Sequence, residues 1–66
     1  MNAFEPFEND SQALTFVSGD DELSLENGTD AIVIAGTLTL VKDDPDSRAN
    51  ARLLRDTLSR ILENLP

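Results

Sequence analysis

The chain predicts an α+β fold: a three-stranded antiparallel β-meander followed by one C-terminal amphipathic helix, a β-β-β-α order completed by oligomerisation. Three observations carry this expectation. From Ala13 to Glu26 apolar residues alternate with polar ones, the period-2 pattern of half-buried strands. A longer β-branched run follows at residues 31–41. After Asp44-Pro45-Asp46 the period changes, with leucine or isoleucine recurring every three or four positions, as on one face of a helix.

Residues 1–12 are polar, acidic and interrupted by Pro6, and show neither period. They are expected as a mobile tail whose Phe4 or Phe7 clips onto the sheet edge, leaving residues 13–66 as a single small domain. In the first strand Leu14 and Phe16 share one face and Thr15 and Val17 the other. Gly19, Asp20 and Asp21 form a turn. Leu23 and Leu25 then point inward, between Glu22, Ser24 and Glu26 pointing outward. Asn27-Gly28 is a strong hairpin signal, because a type I′ turn needs positive φ at both central positions. A two-residue loop there sets Leu25 opposite Asp30, and a three-residue loop with a bulge avoids the mismatch, so the register stays open.

The third strand, residues 30–41, places Ile32, Ile34, Leu38 and Leu40 on the face expected to lie beneath the helix. Ala31, Val33, Ala35, Thr37, Thr39 and Val41 share its other face, which is small and β-branched rather than polar. Gly36 interrupts the run, and a glycine inside a strand marks a bend or a close backbone approach. Unless the chain bends there, residues 37–41 have no partner except another copy.

Asp44 suits the helix N-cap, Pro45 the first helical position and Asp46 the positive end of the macrodipole. At 100° per residue Ala51, Leu54, Leu58, Ile61, Leu62 and Leu65 fall in one apolar stripe, expected against the sheet or a second copy, with Leu53 off the stripe. The helix carries Arg48, Arg52, Arg55 and Arg60, four of the five basic residues of the chain. Asp44–Arg48 and Asp56–Arg60 have the i, i+4 spacing of helical ion pairs, and Arg52 also reaches Asp56. Arg55 has no acid three or four residues away. The edge formed by Arg48, Arg52 and Arg55 is expected to lock onto carboxylates of the sheet or of another subunit, since the guanidinium fork pairs carboxylates bidentately.

Composition narrows the function. The 66 residues hold 13 acids and 5 bases, a net charge of −8. Residues 1–43 hold nine acids and one lysine, whereas residues 44–66 hold four acids and four arginines. Direct nucleic-acid binding and an anionic membrane surface both need surplus positive charge, so neither is expected. No apolar run approaches the ~20 residues of a membrane span, and the first residues lack the pattern of a signal peptide. A cytoplasmic protein is expected.

Cysteine and histidine are absent, which removes disulfides and the commonest zinc and copper ligands. A calcium loop counted from Asp44 needs glycine and glutamate where Ala49 and Arg55 stand. No metal, no cofactor and no catalytic residue is expected, because tyrosine and tryptophan are missing as well and the remaining hydroxyls lack their usual activating base.

A core of this size supplies no more than ~3–5 kcal/mol unaided, and association is the one reinforcement left. The expected function is that of a non-enzymatic structural or protein-interaction module, a homo-oligomer of two or four copies. The candidate interface comprises Val33, Ala35, Thr37, Thr39, Val41 and Leu53 with Arg48, Arg52 and Arg55. The alternative expectation is an acidic antagonist or nucleic-acid mimic, in which Asp20, Asp21, Glu22, Glu26 and Asp30 form one patch that occupies a basic site on another protein.

Overall fold

The computed structural model describes residues 4–66; residues 1–3 of the expected tail lie outside the described residues. The elements run β1 (Ala13–Ser18), β2 (Asp21–Glu26), β3 (Val33–Gly36) and α1 (Pro45–Glu63). The strands form one antiparallel sheet in the order β1-β2-β3. This is the β-β-β-α architecture that the change of period predicts.

Within β1 and β2 the alternation is translated directly into register. Leu14 faces Leu25 and Phe16 faces Leu23, so these four side chains share the inner face. Ser18 faces Asp21. The connection is therefore Gly19 and Asp20 alone, and Asp21 opens β2 instead of belonging to the turn. Gly19 has φ 60° while Asp20 does not share its positive φ, the order of a type II′ turn.

Asn27-Gly28 does not close a tight hairpin. Leu25 faces Ile34 and Glu26 faces Val33, so residues 27–32 form a wide connection and neither short-loop register applies. The physical reason is the Asn27 side chain, which is buried and turned toward the N-terminal segment. Its Oδ1 accepts the Phe7 N–H at 3.0 Å, and its Nδ2 donates to the Glu5 carbonyl at 2.8 Å. Its own N–H donates to the Gln12 carbonyl at 2.9 Å. Asp10 fastens the same loop by accepting the Thr29 N–H at 2.9 Å.

The segment read from sequence as a tail thus carries Phe4 into the core. Glu8 N–H donates to the Glu5 carbonyl at 3.1 Å, closing a turn with Pro6 second and Phe7 third, the order of a type II turn. Phe7 takes φ 66°, a conformation that normally selects glycine at that position. Asn27 and the packing of the Phe7 ring against the core cluster hold it there.

β3 is four residues long, much shorter than the predicted strand. Gly36 has φ 109°, and a Cβ at this position would run into the Glu22 carbonyl oxygen. Thr37 N–H still donates to that oxygen at 2.9 Å, and the chain then turns away. Thr39 N–H donates to Ser18 Oγ at 3.0 Å and Thr39 Oγ1 to Asp21 Oδ2 at 2.6 Å. The positive φ of Gly36 supplies the bend expected at this position.

The core is small. Leu25 is fully buried, with Phe4, Phe16 and Ile61 buried beside it. Phe7, Leu14, Leu23, Ile32, Leu38 and Leu54 pack around them. A 19-residue helix is about 28 Å long, while a six-residue strand spans about 20 Å. The helix outruns the sheet, and Phe4 joins Ile61 in one cluster where the sheet alone does not reach.

Two outcomes follow for stability. Asn27→Ala strands the Phe7 N–H and the Glu5 carbonyl; urea unfolding is expected to register a loss of about 2–3 kcal/mol, and Asn27→Asp does not restore it because the donor to Glu5 is still missing. Gly36→Ala combines a disfavoured φ with the Glu22 contact, and thermal unfolding is expected to show a cost of at least about 2 kcal/mol.

Candidate interaction surface

The feature that shapes the surface is the phase of α1 about its own axis. The residues that face the sheet are Ser47, Asn50, Leu54, Thr57 and Ile61, of which Ser47, Thr57 and Ile61 are buried and the other two half-buried. Their spacing is 3-4-3-4, like that of the predicted apolar stripe, but at 100° per residue the two stripes are offset by about 50°. Three polar side chains therefore lie on the inner face, and each has a partner. Ser47 Oγ accepts the Val41 N–H at 2.8 Å. Asn50 Nδ2 donates to the Val17 carbonyl at 3.4 Å, and Thr57 Oγ1 to the Leu53 carbonyl at 2.8 Å. The Ser47 bond and the Asp44 cap, whose Oδ1 accepts the Asp46 N–H at 3.0 Å, fix the first turn in this phase.

The offset leaves half of the leucine stripe outside. Leu58 is 41% and Leu62 70% exposed, so of the two surfaces expected to take the stripe the sheet does not cover these leucines. On the sheet, Ile34 lies on the inner face opposite Leu25 yet is 50% exposed, as is Leu40 at 52%. Of the four apolar residues expected under the helix, Ile32 and Leu38 pack against the core and Ile34 and Leu40 do not. The helix sits toward β1, where Asn50 meets Val17, and leaves the β3 side of the inner face open. The result is a groove of about 430 Å³ lined by Leu40, Ala51, Leu54, Arg55, Leu58, Ser59 and Leu62.

The predicted interface residues are all exposed, but the fold disperses them. Val33 and Ala35 lie on the outer face of the sheet, where the register sets them beside Glu26 and Ser24. With Glu22 next to Val17, two glutamates break up that face. Thr37, Thr39 and Val41 lie along the segment after Gly36, with Thr39 already engaged by Ser18 and Asp21. Leu53 lies with Arg48 and Arg52 on the far side of the helix from the sheet. Of the predicted interface residues, Arg55 alone lines the groove. The leucine stripe signals it, because a phase offset on an amphipathic helix always uncovers one edge.

The expected arginine pairs are not formed. Asp44 is turned into the helix cap, so it does not meet Arg48. Asp56 is taken by its neighbour Arg55, whose Nη2 and Nε lie 2.9 and 3.1 Å from one carboxylate oxygen. Arg55, with no acid three or four residues away, pairs with its immediate neighbour instead, and this leaves Arg60 and Arg52 without Asp56. Both members are more than half exposed, and such pairs contribute ~0–1 kcal/mol. Among the described residues no arginine reaches a sheet carboxylate, so a lock within the chain is absent there.

The acidic residues are spread rather than gathered. Asp20 and Asp21 lie at one end of β2 and Glu26 at the other, about 17 Å away along the strand, with Asp30 beyond it in the wide connection. Asp20 and Asp21 join Asp44 and Asp46 around a cleft of about 450 Å³ between the β1–β2 turn and the start of α1. Two of these carboxylates already accept hydrogen bonds, from Thr39 and from the helix cap. Among the described residues no three carboxylates converge as a metal-binding set, and no helix is long and apolar enough to cross a membrane.

Ser47→Ala removes the acceptor of the Val41 N–H; chemical denaturation is expected to show a loss of about 1–2 kcal/mol.

Comparison with protein-family models, with curated proteins and with solved structures finds no match to the chain.

Proposed function

We propose that this protein is a non-enzymatic interaction module that works as a homo-oligomer, its apolar groove covered by a second copy. The observation that carries the reading is the uncovered leucine edge of α1 together with Leu40 and Ile34. Size scaling supports it. A monomeric protein of 7.2 kDa exposes about 4,100 Å², whereas this chain exposes 4893 Å². The difference is close to the ~800 Å² that each partner contributes to a standard interface. The radius of gyration, 12.3 Å, also exceeds the ~10.8 Å of a compact domain of this length.

The rest of the surface favours self-association over aggregation. The carboxylates at both ends of the sheet keep copies apart wherever the groove is not engaged. The lack of histidine, cysteine, tyrosine and tryptophan supports a binding role rather than catalysis, since the hydroxyls in the chain have no base to activate them.

Sedimentation or light scattering across a concentration series tests the reading. The expected mass is at least twice 7.2 kDa at micromolar concentration. Leu58→Glu with Leu62→Glu is expected to give a monomer with unchanged far-ultraviolet circular dichroism, because both side chains are exposed in the single chain. A monomer at every concentration overturns the proposal.

A further inference from the structure

We infer that the second copy docks with its α1 antiparallel to this one, about a two-fold axis that passes beside Leu58. The inference rests on the self-association just proposed and adds the orientation and the contacts.

It starts from the helix, which carries two seams side by side. The inner seam, Ser47, Asn50, Leu54, Thr57 and Ile61, is occupied by the sheet. The outer seam runs Ala51, Arg55, Leu58 and Leu62, with spacing 4-3-4; all four line the groove, and Leu65 follows just past the helix end, its N–H donating to the Leu62 carbonyl at 3.2 Å. A repeat of this kind places a continuous line of side chains along one flank of a helix, the arrangement that packs against a second helix. The sheet already holds the first seam, and nothing in the chain among the described residues covers the second: Leu58, Leu62 and Leu65 are all exposed.

The seam is graded from small to large. Its N-terminal end is Ala51 and its C-terminal end is Leu62 and Leu65. An antiparallel neighbour sets Ala51 against Leu65 and Leu58 against Leu58, so the large end of each helix fills the space left by the small end of the other, as close packing requires. A parallel neighbour sets Ala51 against Ala51 and leaves a gap there.

Charge selects the same orientation. Arg48 and Arg52 lie beside Ala51 and Arg55 at the N-terminal half of the seam. In the antiparallel arrangement the two sets of arginines lie at opposite ends of the contact, and the two macrodipoles oppose each other favourably. In a parallel one Arg55 meets Arg55.

The chain has no cysteine, so single cysteines report the orientation directly. In the 66-residue chain, Leu58→Cys stands on the axis itself, where its two copies face each other across the seam. It is expected to form a disulfide-linked dimer on mild oxidation. The two copies of Ala51→Cys are about 21 Å apart along the axis, far beyond the reach of a disulfide, and are not expected to link. Mixed with Leu65→Cys, however, Ala51→Cys is expected to give the crossed species. Self-linking of Ala51→Cys, or failure of Leu58→Cys to link while the mass stays at twice the monomer, overturns the antiparallel arrangement and leaves the self-association standing. A monomeric mass for the unmodified chain overturns both.

Discussion

The hydrogen bond from the Val41 N–H to Ser47 Oγ decides how the rest of the molecule is arranged. It ties the first turn of α1 to the strand-like segment that precedes it and thereby sets the phase of the helix. With Ser47 inward, the 3.6-residue period brings Asn50, Leu54, Thr57 and Ile61 inward as well. Leu58 and Leu62 are carried outward by the same rotation. Each buried hydroxyl or amide on the inner face has a partner, so the phase is stable although it exposes leucine and buries serine and threonine. An unpaired polar group in those places would oppose it.

A second constraint is the mismatch between helix and sheet. The helix is longer than the strands it covers, and among the described residues the buried hydrophobic core is Phe4, Phe16, Leu25 and Ile61. The N-terminal segment supplies one of them, Phe4, and Asn27 holds that segment in place through both of its side-chain polar atoms. The left-handed Phe7 is tolerated on these terms: its N–H and its ring both gain partners that an extended conformation would not offer. Gly36 performs the complementary task at the other edge, letting the chain leave β3 at the point where Glu22 approaches most closely.

These two constraints account for the shape of the exposed surface. The helix leans toward β1, and the β3 side of the inner face stays open between Leu40 and Leu62. The arginines flank this opening instead of reaching back to the sheet, while the acids of the sheet sit at its two ends. The exposed leucines of α1 and Leu40 thus form an apolar strip bordered by arginines, apart from the acidic ends of the sheet.

Much of the architecture was legible in residues whose neighbours are close in sequence. The alternation of Leu14, Phe16, Leu23 and Leu25 specified β1, β2 and the buried face, because side chains two apart in a strand share a face. Asp44-Pro45-Asp46 marked the helix start through local capping chemistry, and Gly36 marked the bend. Three things were settled only in the tertiary structure. Asn27 carried the signature of a tight turn, but its amide found better partners 20 and 22 residues earlier in the chain. The leucine stripe located the helix face to within about 50°, yet a phase is decided by which polar groups find partners, and Val41 and Ser47 meet only once the chain is folded. Arg55 has no acid at i+3 or i+4, and only the folded structure shows its long side chain reaching laterally to Asp56. Sequence alone determined the elements and their order, since these follow from local period and caps. The tertiary structure decided which apolar edge stayed uncovered, because that depends on a competition between groups distant along the chain.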